Sequence, residues 1–187
     1  MNETLHIAVI AASVRQQRMS HVLADWTAQR VAALPAVVDL IDLADCQLPS
    51  DTLLQPGGGV RSPIADRIDA ADGFVVVTPE YNHSYPASLK RAIDWHYREW
   101  MFKAATVLSY GVHGGLLATE HLRGVFAELH VVTTRRVVGL RAPWNEIDGN
   151  RFAPEPDVEK ALDGALTELG WWAETLRAAR RDRPFDR

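Results

Sequence analysis

The sequence predicts an α/β fold: a five-stranded parallel sheet in the order 2-1-3-4-5, covered by helices on both faces as a three-layer sandwich. Short apolar, β-branched runs alternate with longer segments whose apolar residues recur every three or four positions. The runs are apolar at nearly every position, as strands buried on both faces must be. Right-handed crossovers between parallel strands then leave few ways to connect them.

His6-Ile7-Ala8-Val9-Ile10-Ala11 reads as the first strand. The segment from about Met19 to Leu34 carries Val22, Leu23, Trp26, Val31 and Leu34 at helical spacing, and Pro35 closes it. Val37 to Leu43 is the second strand. A long loop follows with Pro49, Pro56 and Gly57-Gly58-Gly59, the composition of a segment that is mobile or shaped by a partner. Ser62-Pro63 signals a helix to about Ala71, with Ser62 as N-cap and Pro63 at the first helical position. Gly73 introduces the third strand, Phe74-Val75-Val76-Val77. A helix is expected from Pro86 to about Trp100, then a fourth strand from Ala105 to Ser109. Gly111, Gly114 and Gly115 precede a helix reaching about Leu129, and a fifth strand lies within Val131 to Leu140. From near Asp157 the residues Val158, Ala161, Leu162, Ala165, Leu166, Leu169, Trp172, Ala173 and Leu176 form one apolar stripe, that of a helix facing a sheet. No internal repeat or composition shift divides the chain, so residues 1–187 are expected to fold as one domain.

Bulk properties exclude several classes. With 47% hydrophobic and 24% charged residues the composition is that of a globular protein, and a net charge of -4 argues against an electrostatic grip on nucleic acid. The charge is also modest beside that of a dedicated acidic electron carrier. Cys46 is the single cysteine, which excludes an internal disulfide, and no nearby base would activate it as a nucleophile. Glu3 and His6 in the leading residues do not resemble a signal peptide, and no apolar run reaches membrane-spanning length. The expectation is a cytoplasmic protein. His113 with His121, or His6 with His21, form no recognised metal-ligand spacing, and no metal site is expected.

Chemistry concentrates where strands end, which is where open α/β sheets hold ligands. After the first strand, Ser13-Val14-Arg15-Gln16-Gln17-Arg18-Met19-Ser20 offers two hydroxyls, two guanidiniums and a helix N-terminus, a combination suited to a phosphate dianion. It lacks the glycines and the Gly-Lys-Ser/Thr ending of a Walker loop. After the third strand comes Pro79-Glu80-Tyr81-Asn82-His83-Ser84-Tyr85-Pro86, whose backbone groups can face a flat polar ring with Tyr81 alongside. Asn82 tolerates unusual backbone angles, and Glu80 requires a partner or exposure. His83 could donate a proton, though an exposed loop histidine commonly has no such role. After the fourth strand, Ser109-Tyr110-Gly111-Val112-His113-Gly114-Gly115 would let the backbone approach a ring edge closely.

In these three motifs the chain resembles the NAD(P)H-dependent FMN reductases of flavodoxin-like fold, a group with quinone, azo and chromate reductase relatives. The match runs through Ser13, Arg15 and Arg18, then through Pro79 to Pro86 into Leu89-Lys90-Arg91-Ala92-Ile93-Asp94-Trp95, then through Ser109-Tyr110-Gly111 with Gly114-Gly115. Ala12 stands where the family usually has glycine and Arg91 where it usually has asparagine; Ala12 would narrow the phosphate loop slightly, and Arg91 is expected to bear on subunit contacts. The resemblance implies noncovalent FMN, with its phosphate on Ser13, Arg15, Arg18, Met19 and Ser20. The flavin ring would lie against Pro79, Glu80, Tyr81, Asn82 and His83, near Ser109, Tyr110, Gly111 and Gly114. It further implies hydride transfer from NADPH or NADH to flavin N5 and onward to a second small-molecule acceptor: free flavin, a quinone, an azo dye or similar. No strict catalytic acid or base is needed, and none is assigned. Members commonly form homodimers or homotetramers, and Trp95, Tyr97 and Trp100 are candidates for such an interface or for packing within the chain. The competing readings are a flavin-binding electron carrier, which would not take hydride directly, and a flavin sensor without turnover.

Overall fold

The computed structural model describes residues 4–57 and 59–185. Two expectations touch residues outside that range: Glu3 in the leading segment, and Gly58 at the centre of the glycine run. In chain order the elements are β1 (Leu5–Ala11), α1 (Ser20–Ala32), β2 (Ala36–Asp42), α2 (Ala65–Ala70), β3 (Gly73–Pro79), α3 (Ala87–Asp94), β4 (Ala104–Gly111), α4 (Leu116–Glu128), β5 (Val132–Thr133), β6 (Val138–Arg141), β7 (Ile147–Asp148), β8 (Arg151–Phe152) and α5 (Pro156–Asp182). The sheet is parallel with the path β2-β1-β3-β4-β5, and β6 also pairs with β4. This is the flavodoxin-like arrangement expected.

Side-chain alternation sorts each central strand into two cores. Ile7, Val9, Ala11, Val75 and Val77 point to the layer of α1 and α5, where Leu23, Val31, Leu162, Leu166 and Leu169 meet them. Ala8, Ile10, Phe74, Val76 and Val107 point to the other layer, against Ile68, Leu89, Ile93, Trp100 and Phe126. Every residue of β3 is buried, which accounts for its near-continuous apolar sequence.

Some elements differ from expectation. The predicted fifth strand is two short pieces, because residues 134–137 leave the sheet. Their polar groups are satisfied by other means: the Thr134 hydroxyl bonds the Arg136 carbonyl at 2.7 Å, and Glu168 of α5 accepts from the Arg135 and Arg136 N–H groups. The helix expected to reach Trp100 ends at Asp94, and a separate 3₁₀ turn covers Arg98–Trp100. Ser62 is not the N-cap of α2, which begins later with Ile64 at that position; instead its hydroxyl accepts from the Ile64 N–H. The β7–β8 hairpin turns at Gly149, in the left-handed region, and escaped the sequence reading.

Trp95 and Trp100 are buried inside the chain, so they serve packing rather than a subunit contact. Arg91 likewise works within the chain. Its guanidinium donates to Asp51 at 2.6 Å and to the Leu48 and Pro49 carbonyls, while the Trp95 indole donates to Asp51 at 3.0 Å. The pair straps the loop after β2 onto α3.

His96 is fully buried, with Nδ1 2.6 Å from the Ala92 carbonyl, so that nitrogen carries the hydrogen and Nε2 accepts from the Ser62 hydroxyl. Burial lowers the imidazole pKa below its usual 6.5, partly opposed by the Ala92 hydrogen bond. The folded state therefore holds His96 neutral while the unfolded chain takes a proton near pH 6.5. Its contribution is present above that pH and is lost as pH falls toward the depressed folded value. The urea midpoint of the wild type should drop more steeply between pH 7 and 5 than that of His96→Gln; parallel slopes would contradict this.

Candidate functional site

β1, β3 and β4 lie side by side, and the loops leaving their carboxyl ends meet over one crevice. Its walls are Arg15, Gln17, Arg18 and Met19 from the first loop, Pro79, Glu80 and Tyr81 from the second, and Tyr110, Gly111 and Val112 from the third, with Trp144 at the rim. The crevice measures about 270 Å³. Eight of the expected residues thus line it: Arg15, Arg18, Met19, Pro79, Glu80, Tyr81, Tyr110 and Gly111.

The others lie beneath it or beside it. Ser13, Ser20 and Ser109 are completely buried and act as braces. Ser13 Oγ and the Tyr81 hydroxyl share a hydrogen bond of 2.7 Å, which ties the first loop to the second. The Ser109 hydroxyl donates to the Gly114 carbonyl at 2.8 Å and closes the third loop. Gly114 and Gly115 both have positive φ, and a Cβ on Gly115 would stand 2.6 Å from that of Ser109, so glycine is required there. Asn82 and His83 are exposed at the tip of a turn between Tyr81 and Ser84, whose N–H and carbonyl groups pair reciprocally at 2.7 and 3.0 Å. Both tip residues have positive φ, at 49° and 65°, the requirement of a type I′ turn.

Glu80 has its partner. Its Oε2 accepts from the Leu117 and Ala118 N–H groups at 3.0 and 3.4 Å, in the first turn of α4. Gly115, the cap residue of that helix, has no side chain to do this, so a carboxylate from the neighbouring loop caps it. The Glu80 N–H donates to the Tyr110 carbonyl at 2.9 Å, which locks the second and third loops together a second way.

α1 begins at the floor of the first loop with no side-chain cap and no acidic residue in its first turn. Its N-terminal N–H groups and positive dipole end are therefore available to an anion. Arg15 is exposed, its guanidinium lying 3.6 Å from the centroid of the Tyr81 ring. Arg18 is held by Asp42 at 2.8 Å, with its Nε buried and unpartnered. Arg18 also lines a larger cavity of about 770 Å³ on the β2 side, with His21, Asp42, Cys46 and Arg67. Three aspartates on that wall suit an anion poorly, whereas the crevice combines two guanidiniums, an uncapped helix start and aromatic side chains. Burial, then the neighbouring Tyr81, raises the Tyr110 pKa well above the usual value, so its hydroxyl stays protonated.

A phosphorylated planar ligand such as FMN fits this donor set: cations and free N–H groups at one end, Tyr81 and close backbone at the other. The sequence reading missed Gln17, Val112 and Trp144 as crevice residues. Trp144 lies in the 3₁₀ turn Pro143–Asn145 that follows β6, and an aromatic behind a strand and a proline was the available signal. Among the described residues no group of three or more His, Cys, Asp or Glu side chains could hold a metal ion, and no helix is long and apolar enough to cross a membrane.

Comparison with known proteins points the same way. Residues 5–144 match the family described as NADPH-dependent FMN reductase. The chain is 30% identical over 190 residues to an NAD(P)H-dependent FMN reductase of Schizosaccharomyces pombe, covering 97% of this chain and 95% of that one. It is also 30% identical over 181 residues to a 2-hydroxy-1,4-benzoquinone reductase of a Burkholderia species, covering 92% and 98% of the two chains. Among solved structures, the flavoenzyme NAD(P)H:(acceptor) oxidoreductase of Paracoccus denitrificans superposes with a TM-score of 0.74 at 25% identity, covering 92% of this chain and 98% of that one. With the crevice, its phosphate-suited loop and these matches together, the chain belongs to the NADPH-dependent FMN reductase family.

Proposed function

We propose that the chain, acting as one domain, binds FMN noncovalently across the three loops and uses NADPH or NADH to reduce a quinone or free flavin. The observation that carries this is the convergence of residues from the ends of β1, β3 and β4 on a single crevice. Bound FMN would supply the ring that accepts hydride from the nicotinamide and passes electrons to the acceptor. The protein's part is placement. The main-chain N–H groups of Met19 and Ser20 at the α1 N-terminus would hold the phosphate with the Arg15 guanidinium, and Arg18 would join through its free Nε. Tyr81, fixed by Ser13, would set the position of the ring. The N–H groups of Glu80 and Tyr81 are already bonded inside the protein, so ring-edge contacts from this loop fall to Asn82 and His83. Gly111 would give the ring close access to backbone on the β4 side.

Quinone as acceptor is supported by the similarity to a benzoquinone reductase over nearly the whole chain. A cytoplasmic homodimer or homotetramer is the assembly proposed. Anaerobic stopped-flow mixing of the FMN-loaded protein with NADPH or NADH should bleach the flavin absorbance in a rapid, saturable phase, and benzoquinone should restore it. Absence of bleaching with either nucleotide would indicate an electron carrier and sink the reductase reading.

A further inference from the structure

We infer that the Trp144 indole is the surface on which the second planar ring in the crevice stacks: the nicotinamide of the donor, or the quinone of the acceptor. The inference rests on the flavin reading above.

The turn that presents this side chain is built for the purpose. β6 ends at Arg141, and Ala142 then adopts a left-handed conformation with φ and ψ both 49°, uncommon for a residue with a Cβ. The strain is held by neighbours. The Ala142 N–H donates to the Gly111 carbonyl at 2.9 Å, and its carbonyl accepts from the Asn145 N–H at 3.2 Å. Pro143 is buried beneath, the Glu146 N–H returns to its carbonyl at 3.0 Å, and the β7–β8 hairpin is tied back where Ala153 N–H meets the Glu146 carbonyl at 3.0 Å. Phe152 of that hairpin packs edge-on against Trp26 of α1, with ring centroids 5.1 Å apart. On this anchored turn sits an indole that is 42% exposed.

Its position separates it from the proposed flavin contacts. Pro79 pairs with Tyr110 on one side of β4, and Arg141 pairs with Gly111 on the other. Tyr81 and Trp144 therefore flank the β4 end from opposite sides, the phosphate loop lying farther out beyond β3. A flavin spread from the β1 loop to Gly111 leaves the β6 flank to another ligand. Val112, 63% exposed, lines the crevice beside Trp144, and Leu116 and Leu117 are exposed in the adjoining first turn of α4. An apolar rim around a polar crevice is what a flat, weakly polar ring requires.

The test uses Trp144→Ala and Trp144→Phe, both loaded with FMN. For the alanine variant, the KM for 1,4-benzoquinone or the calorimetric Kd for NADP⁺ should rise about three- to tenfold, the scale of a lost aromatic stack, and phenylalanine should restore most of it. Ferricyanide, which offers no ring to stack, should be reduced with unchanged kcat/KM, and FMN affinity and sedimentation mass should not move. A rise confined to the quinone assigns the indole to the acceptor, a rise confined to NADP⁺ to the donor; either supports the inference. It is overturned if neither constant rises, if ferricyanide suffers equally, if FMN affinity falls instead, or if the mass drops, which would mark a subunit contact. Wild-type protein that takes up no FMN would sink the site reading and this inference together; loaded variants with unaltered constants would sink this inference alone.

Discussion

Arg15→Ala is expected to weaken FMN binding by about 1.5–3 kcal/mol, the worth of one charge-assisted hydrogen bond to a phosphate. The folded state should barely notice, because Arg15 is exposed and contributes only a surface cation–π contact to Tyr81, worth about 0.5–1 kcal/mol. Arg18→Ala should weaken FMN as well, and the double variant should lose the larger part of the phosphate grip. Arg18 differs in being bonded to Asp42, so its removal leaves a half-buried carboxylate without its cation and lowers stability too. Flavin-fluorescence titration beside urea melts separates the two effects. Unchanged FMN affinity in the double variant would remove the β1 loop from the site.

The second large effect concerns the layer beneath α3 and α4. Trp100 is 0% exposed, packed between Phe74 and Phe126 at centroid distances of 4.5 and 5.8 Å. Trp100→Ala should cost about 3–5 kcal/mol in urea unfolding, from lost burial plus the cavity left behind. Trp100→Phe should cost clearly less. The Trp100 Nε1 is buried without a partner in the wild type, and phenylalanine removes that unsatisfied donor while filling much of the space. Equal losses in the two variants would contradict this account of the site.

Much of this was legible in the chain. The parallel sheet followed from five apolar runs separated by helical stripes, because a two-sided buried strand leaves little freedom in its composition, and right-handed crossovers left few strand orders to choose from. The crevice was legible for a related reason: loops at the ends of adjacent central strands can only converge. What could not be read were partnerships between distant residues. Glu80 was recognised as needing a partner, but nothing local shows that the partner is the start of α4. Arg18 was recognised as a phosphate candidate, but its pairing with Asp42 could not be read, because it depends on β2 lying beside β1. Arg91 read as bearing on subunit contacts, and Trp95 stayed open between an interface and packing, because the loop that covers them returns from another part of the chain. The break between β5 and β6 depends on Glu168, more than thirty residues away. The β7–β8 hairpin was the avoidable miss, since Gly149-Asn150 is a two-residue hairpin turn signal in the sequence. Trp144 was passed over because the sheet was taken to end at Leu140, one residue before β6 does.

A crystal of this protein soaked with FMN tests the central claim most directly. The account predicts density for the phosphate at the Ser13–Ser20 loop and for the ring between Tyr81 and Gly111, with Arg15 drawn off the Tyr81 face. A flavin bound instead in the β2-side cavity by His21, Cys46 and Arg67, or an empty crevice at saturating FMN, would contradict it.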